Sequence, residues 1–100
     1  MENRLIIRKE YDPYMAMWKY VALYPDDDAL PGRIVCQPFY FDANGRVISE
    51  PVCEMDYGYY ICKTKHVSAK SDEVAKCLAA LEELHDTKFV LREKITYRRN

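Results

Sequence analysis

The sequence predicts an α+β domain with one mostly antiparallel sheet of about five or six strands, one helix on one face of it, and a C-terminal strand. Three observations predict this class. Short stretches rich in tyrosine and β-branched residues fill residues 17–65, as is typical of strands. One amphipathic stretch follows at about residues 71–86, and apolar and charged residues alternate again over residues 89–98. One hundred residues fit a single domain, so residues 1–100 are taken as one unit.

The first two strands are predicted at residues 4–9 and 18–24. Pro13 separates them, because a proline biases the residue before it away from helix. Aromatic and β-branched residues favour a strand at 18–24 with Trp18, Tyr20 and Tyr24 on one face, and a helix over residues 14–24 is the alternative. The following loop, residues 25–32, has turn-forming prolines and three adjacent carboxylates, so it is expected at the surface.

The clearest local signal is Asn44-Gly45 between two apolar runs. It predicts a tight hairpin, because glycine readily adopts the positive φ that such a turn needs. A three-residue loop with Gly45 in the left-handed region would pair Asp42 with Arg46. A slip of one residue would turn every side chain over, so no inward face is assigned.

Pro38 and Pro51 lie in the two arms of this hairpin. Neither can donate a hydrogen bond to a neighbouring strand, so each is expected at a bulge or an unpaired edge. Residues 57–65 are predicted as a further strand, in which Gly58 marks a bulge or a close backbone approach.

The helix is predicted from Ser71, a natural N-cap followed by two acidic residues, to about Asp86. The apolar face of the helix is formed by Val74, Cys77, Leu78, Leu81 and Leu84.

In the last predicted strand, residues 89–98, Glu93 interrupts the apolar face of the strand. Two interpretations of Glu93 are open: an inward carboxylate with a functional role, or, as the favoured one, an edge residue paired with a neighbouring lysine or arginine.

Composition and charge argue against several classes of protein. Fifteen basic and sixteen acidic residues leave a net charge of −1, which removes the strong electrostatic case for nucleic-acid or anionic-membrane binding. No apolar run is long enough for a signal peptide or a membrane span, so a soluble, cytoplasmic chain without membrane contact is expected. The four cysteines are then expected to be reduced and to serve as small apolar core residues: Cys36, Cys53, Cys62 and Cys77.

No catalytic or metal-binding motif stands out, so a non-enzymatic chain without cofactor or metal is predicted. Cys62 and His66 would lie too far apart on a strand to bind one zinc ion together. Cys36 and Cys53 can lie near each other across the hairpin, yet the paired spacing of metal modules is missing.

The first functional hypothesis is a small protein-binding or inhibitor-type module, because interfaces favour tyrosine and tryptophan. Contact is expected through a tyrosine-rich sheet face, an edge strand or the acidic loop, with an unidentified protein or a second copy of the chain as partner. The short length, the absence of catalytic signals and the aromatic-rich composition also suit an accessory protein of a phage or mobile element. The residues assigned to this surface are Trp18, Tyr20, Tyr24, Asp26, Asp27, Asp28, Tyr57, Tyr59 and Tyr60.

Two alternative functions stay open. The third hypothesis is a small-molecule-binding domain or enzyme with a pocket between helix and sheet. The second hypothesis, less favoured than protein binding, is nucleic-acid binding, in which a basic face of the last strand contacts phosphates while tyrosines stack on bases. The basic residues assigned to it are Lys88, Arg92, Lys94, Arg98 and Arg99.

Overall fold

The computed structural model describes residues 3–94, without the side chains of Tyr60 and Ile61, and it confirms the α+β class. Residues 18–24 are strand rather than helix. None of the helices in the described range has the length and apolar character that a membrane span requires. The elements in chain order are β1 (Arg4–Asp12), β2 (Met17–Tyr24), β3 (Arg33–Phe41), β4 (Val47–Ser49), β5 (Cys53–Asp56), α1 (Tyr57–Lys63), β6 (Lys65–His66), α2 (Asp72–His85) and β7 (Val90–Leu91).

Three long strands, β1, β2 and β3, form an antiparallel meander at the centre of the sheet. Each outer side of the meander is paired in two short pieces: β4 and β5 lie along β3, and β6 and β7 lie along β1. β7 runs parallel to β1 while the other pairs are antiparallel. The sheet is therefore mixed, although most of its pairing is antiparallel as predicted.

The β3–β4 hairpin has the predicted three-residue loop. The Asp42 amide donates to the Arg46 carbonyl at 2.9 Å, and Gly45 has a φ of 78°. The Asp42 carboxylate accepts hydrogen bonds from the amides of Asn44 and Arg46, which closes the turn. Pro38 lies where the outer partner of β3 changes from β5 to β4, so its missing donor leaves no gap in either ladder.

Helix α2 covers one face of the meander. Its start at Ser71 is confirmed, because the Ser71 hydroxyl accepts from the Val74 amide, and Asp86 ends the helix in the left-handed region with a φ of 49°. Leu84 was predicted on the buried face but is 47% exposed. It lies in the last helical turn, beside the tip of the β3–β4 hairpin instead of over the sheet. The core under the helix consists of Leu5, Ile7, Ala22, Tyr24, Val35, Phe39, Val67, Val74, Cys77 and Leu81.

The opposite face of the meander has its own core, and the predicted strand at residues 57–65 is wrong there. Residues Tyr57–Lys63 form helix α1, and only Lys65–His66 pair with β1. Aromatic content favours a strand locally, but Met55 and Tyr57 pack on this second core, and such tertiary packing overrides propensity. The second core consists of Ile6, Val21, Leu23, Ile34 and Cys36.

The last predicted strand, residues 89–98, is strand only over Val90–Leu91 within the described residues, and residues 95–98 lie outside them. Glu93 is half-exposed rather than inward. Its carboxylate accepts from the Ala69 amide at 2.6 Å and lies 3.7 Å from His66 Nε2. The surface interpretation of Glu93 is therefore the right one, although its partners are this amide and His66 rather than a lysine or arginine.

Candidate interaction surface

The end of the β1–β2 hairpin exposes four large apolar side chains, which we call the hairpin knob. Tyr14 is 98% exposed, Tyr11 50%, Met15 47% and Trp18 46%. Single exposed apolar residues are normal on a protein surface, but four at one hairpin end are of the kind that contact partners. Trp18 is a residue that the sequence assigned to the surface, and the other three were missed. A signal for two of these, Tyr14 and Met15, was present in the sequence, because turns are usually polar and this one contains both.

A single carboxylate holds the turn of the knob in shape. Asp12 Oδ1 accepts hydrogen bonds from the amides of Tyr14 and Met15 at 2.8 and 3.1 Å. Asp12 Oδ2 lies 2.8 Å from the Lys19 ammonium, and this bond and the Met15 amide lower the pKa of Asp12 below its ordinary value. The turn is thus tied both to its own backbone and to β2.

Ala16 closes the same turn with a φ of 51°. An L-residue other than glycine, asparagine or aspartate seldom adopts this left-handed conformation, because its Cβ approaches the following carbonyl oxygen. The tip of the knob is therefore held in a strained backbone conformation, a feature that occurs often at functional sites.

Trp18 and Tyr11 form the base of the knob on the α2 face of the sheet. Their rings pack edge to face with centroids 5.5 Å apart, and the Lys65 ammonium lies 5.2 Å from the centre of the Trp18 ring. Such a contact between a cation and a ring is favourable, and most so for tryptophan. The exposed apolar surface is consequently bordered by a positive charge.

Two of the assigned tyrosines lie under helix α2 instead of on a free surface. Tyr24 is only 6% exposed, and its hydroxyl donates to Gln37 Oε1 at 2.8 Å. Tyr20 is half-buried, its ring stacks on Phe39, and its hydroxyl donates to Glu73. Burial raises the pKa of both phenols. Tyr20 and Tyr24 therefore serve the core rather than an accessible surface.

The three adjacent aspartates do not form one acidic patch. Asp26 is largely buried and pairs with Arg4, whose Nη2 lies 2.7 Å from Asp26 Oδ1 and whose backbone amide also donates to the carboxylate. This pair ties the loop to the start of β1. Asp27 and Asp28 are exposed, so only these two of the three aspartates are available to a partner.

The assigned tyrosines of α1 lie on the opposite side of the sheet from Trp18. Tyr57 is half-buried against the second core, and Tyr59 is exposed with its hydroxyl 3.5 Å from a Glu10 carboxylate oxygen. The side chain of Tyr60 is outside the described atoms. The nine assigned residues therefore do not form one continuous surface, and Trp18 is the member that lies in the knob.

The residues assigned to nucleic-acid binding are only partly described. Lys88 is exposed and its ammonium lies 3.8 Å from the Glu82 carboxylate, while Arg92 donates to the Leu91 carbonyl. Lys94 is exposed, and Arg98 and Arg99 lie outside the described residues. No continuous basic stripe is present over residues 88–94.

A polar cluster that the sequence did not indicate lies between the end of α2 and the sheet. Gln37 is fixed because its amide nitrogen donates to the Glu50 carbonyl, which leaves Oε1 to accept from Tyr24 and from His85 Nε2 at 2.8 Å. His85 Nε2 therefore carries a proton. An open depression of about 320 Å³ adjoins the cluster, and its walls include Tyr24, His85, Phe89 and Asp27.

The cysteines divide into buried and exposed members. Cys36 and Cys77 are core residues as predicted, whereas Cys53 and Cys62 are exposed, so the core interpretation is wrong for those two. The expectation that Cys36 and Cys53 lie close together is confirmed, since their sulfur atoms are 3.4 Å apart. Within residues 3–94 no three His, Cys, Asp or Glu side chains are grouped closely enough to hold a metal ion.

No protein-family model, curated protein or solved structure matches this chain.

Proposed function

We propose that the protein acts as a protein-binding module and that the hairpin knob is its contact site. The observation that carries this proposal is the grouping of Tyr11, Tyr14, Met15 and Trp18 as exposed apolar side chains at one end of a hairpin. Tyrosine and tryptophan are enriched among the few residues that dominate binding energy, and methionine adapts to irregular surfaces.

The order of the turn favours tight binding. Asp12 fixes the amides of Tyr14 and Met15, and its ion pair with Lys19 connects the turn to the next strand. Little backbone freedom is therefore left to be lost when a partner binds, and a preorganised contact site binds more tightly than a mobile one of the same composition.

The charges near the knob define the partner that fits it. Asp12 is compensated by Lys19, whereas Lys65 is exposed over Trp18. The partner is therefore a protein with an apolar groove that receives Tyr14 and Met15 and with a carboxylate at the rim that faces Lys65. We expect this partner to be a different protein rather than a second copy of the chain.

The test is a pull-down from lysate of the source organism, treated with nuclease, with two matched double variants. Tyr14→Ser/Met15→Ser removes the centre of the knob. Leu30→Ser/Val52→Ser removes two side chains of similar exposure, 63% and 51%, outside the hairpin. We expect a stoichiometric partner that the wild type and the Leu30/Val52 variant retain and the knob variant loses. A partner retained by all three proteins would overturn the assignment to the knob.

The charge of the rim is tested with the purified partner. Lys65→Glu should lower the affinity by roughly tenfold or more and reduce its dependence on salt, because a favourable contact becomes a repulsive one. Lys88→Glu is the control, since Lys88 precedes β7 at the other end of β1. Equal effects of the two variants would mean that overall charge, and not the knob, decides the affinity.

Nucleic-acid binding is the second candidate, and the observation that favours it is the Lys65 ammonium over the Trp18 ring, since aromatic and basic side chains also bind single strands. Nucleic-acid binding predicts that the bound species in the pull-down are lost on nuclease treatment and that the affinity falls steeply as the salt concentration rises. Under this function Lys88→Glu would weaken binding as well.

A further inference from the structure

Cys36 and Cys53 lie directly opposite each other on neighbouring antiparallel strands. They are register partners in the β3–β5 ladder, and their sulfur atoms are 3.4 Å apart. Residues in such facing positions have Cβ atoms about 4.5–5.5 Å apart, close to the separation that a disulfide requires. Adjustment of two side chains, with a slight approach of the short strand β5, is sufficient to join them.

The two thiols differ in their access to solvent. Cys53 is exposed, whereas Cys36 is buried in the second core. Burial and the contact with Cys53 raise the pKa of the Cys36 thiol well above its ordinary value. A reagent from solution therefore meets Cys53 first, and Cys36 is the neighbour that can react in a second step.

We propose that Cys53 and Cys36 form a thiol-modification site that takes a low-molecular-weight disulfide, such as glutathione disulfide, and closes to an intramolecular disulfide. The Cys53 thiolate attacks one sulfur of the reagent, which forms a mixed disulfide and releases one glutathione thiolate. The Cys36 sulfur then attacks the Cys53 sulfur and gives up its proton. A second glutathione leaves as the thiol, and the two electrons taken from the protein thiols are now held by the released glutathione.

The disulfide would act on the second face of the sheet. β5 is a short strand at the edge of the sheet, and it leads without a break into α1, whose first residue packs on the second core. A covalent bond from β5 to the long central strand β3 would fix this covering segment in place. The oxidised protein should consequently unfold at a higher urea concentration, because the disulfide also reduces the number of conformations that the unfolded chain can adopt.

The first experiment treats the folded protein with glutathione disulfide and follows the intact mass and the peptide map after alkylation of free thiols. We expect a single new peptide pair that joins Cys36 to Cys53 with the loss of two hydrogen atoms, and a separate glutathione adduct on the exposed Cys62 of the wild type. Cys62→Ser is the matched control, because Cys62 is the other exposed cysteine, and it should leave this reaction unchanged.

Two further variants separate the steps. Cys36→Ser should stop the reaction at a stable glutathione adduct on Cys53, and Cys53→Ser should react at Cys62 only. Circular dichroism of both variants shows whether they are folded. Three results would each overturn the proposal: a folded wild type that keeps glutathione on Cys53 without closure, a disulfide that joins Cys62 to another cysteine of the chain, or closure that occurs only in urea.

Discussion

Lys19 and Asp12 form an ion pair across the base of the β1–β2 hairpin, with 2.8 Å between Lys19 Nζ and Asp12 Oδ2. The pair lies largely away from water, and the other oxygen of the same carboxylate holds the two amides of the turn. One side chain thus connects the backbone of the knob to the adjacent strand. The stability of the hairpin end should therefore depend on the charge of Asp12.

Asp12→Asn tests this dependence, because the amide keeps an acceptor for the turn but loses the charge. The pKa of Asp12 is lowered from 3.8 in the folded protein, chiefly by Lys19, so the ionised carboxylate stabilises the fold above pH 3.8. As the pH falls through the lowered folded pKa, that contribution disappears. Urea unfolding should show wild type more stable than Asp12→Asn at pH 7, with the difference shrinking towards pH 2.

Lys19→Met is the second single variant of a double-mutant cycle with Asp12→Asn, since it retains the alkyl chain without the ammonium. The double variant should lose less stability than the sum of the two single variants, because the pair is broken by either change. Strict additivity at pH 7 would show that the two residues act independently and would contradict the assigned pair.

Ala16→Gly should stabilise the protein. Ala16 has a φ of 51°, a conformation that costs an L-residue roughly 1–2 kcal/mol, while glycine loses more backbone entropy on folding. We expect the free energy of unfolding to rise by about 0.5–1 kcal/mol in urea titrations. The reciprocal change, Gly45→Ala at a φ of 78°, should lower it by about 1 kcal/mol or more. If both substitutions changed the free energy of unfolding in the same direction, backbone strain at these positions would be excluded as the cause of the changes.

Leu81→Ala should be strongly destabilising. Leu81 is fully buried between α2 and the sheet, and such truncations leave a cavity that costs about 2–5 kcal/mol. Leu84→Ala, one turn further along the same helix and 47% exposed, should cost about 1 kcal/mol at most. Urea unfolding of both variants measures the difference, and similar losses would mean that α2 packs on the sheet in another rotation.

Glu10→Gln should increase stability at neutral pH. Burial raises the pKa of Glu10 above 4.5, against the opposing hydrogen bond from Tyr59, so ionisation of Glu10 disfavours the folded state. Protonated Glu10 contributes stability to the folded state below pH 4.5, and this stability is lost as the pH rises through the raised pKa of Glu10 in the folded protein. In urea unfolding, the Glu10→Gln variant should therefore be more stable than wild type at pH 7 and equally stable near pH 4. Glu83→Gln, on the exposed side of α2, should leave stability nearly unchanged at both values.

The elements that the sequence predicted well are those with local chemical signals. Asn44-Gly45 determines its hairpin through the left-handed glycine, and Ser71 starts α2 through a hydrogen bond within the same turn. Both signals involve residues at most a few positions apart, so no knowledge of the rest of the chain is needed to interpret them.

The parts of the fold and of the candidate surface that the sequence did not predict depend on contacts between distant parts of the chain. Tyr57 lies in a helix because the second face of the sheet requires a cover, and Tyr24 is buried because α2, more than forty residues later, crosses over it. Aromatic composition alone could not distinguish these residues from Trp18, which remains exposed. Tyr14 and Met15, two of the three knob residues that were missed, lie in a turn whose apolar character has no folding explanation, and that mismatch is the signal to look for.

The division of both outer sides of the meander into short pieces has a consequence for the behaviour of the protein at high concentration. A long unpaired strand offers a row of free amides and carbonyls on which another chain can build a continuous intermolecular sheet. Here β3 and β1 are each shielded by two strands, and those strands are only 2–4 residues long. Within the described part of the chain, the sheet therefore presents only brief backbone edges, and growth into fibrils by strand addition is discouraged by the architecture itself.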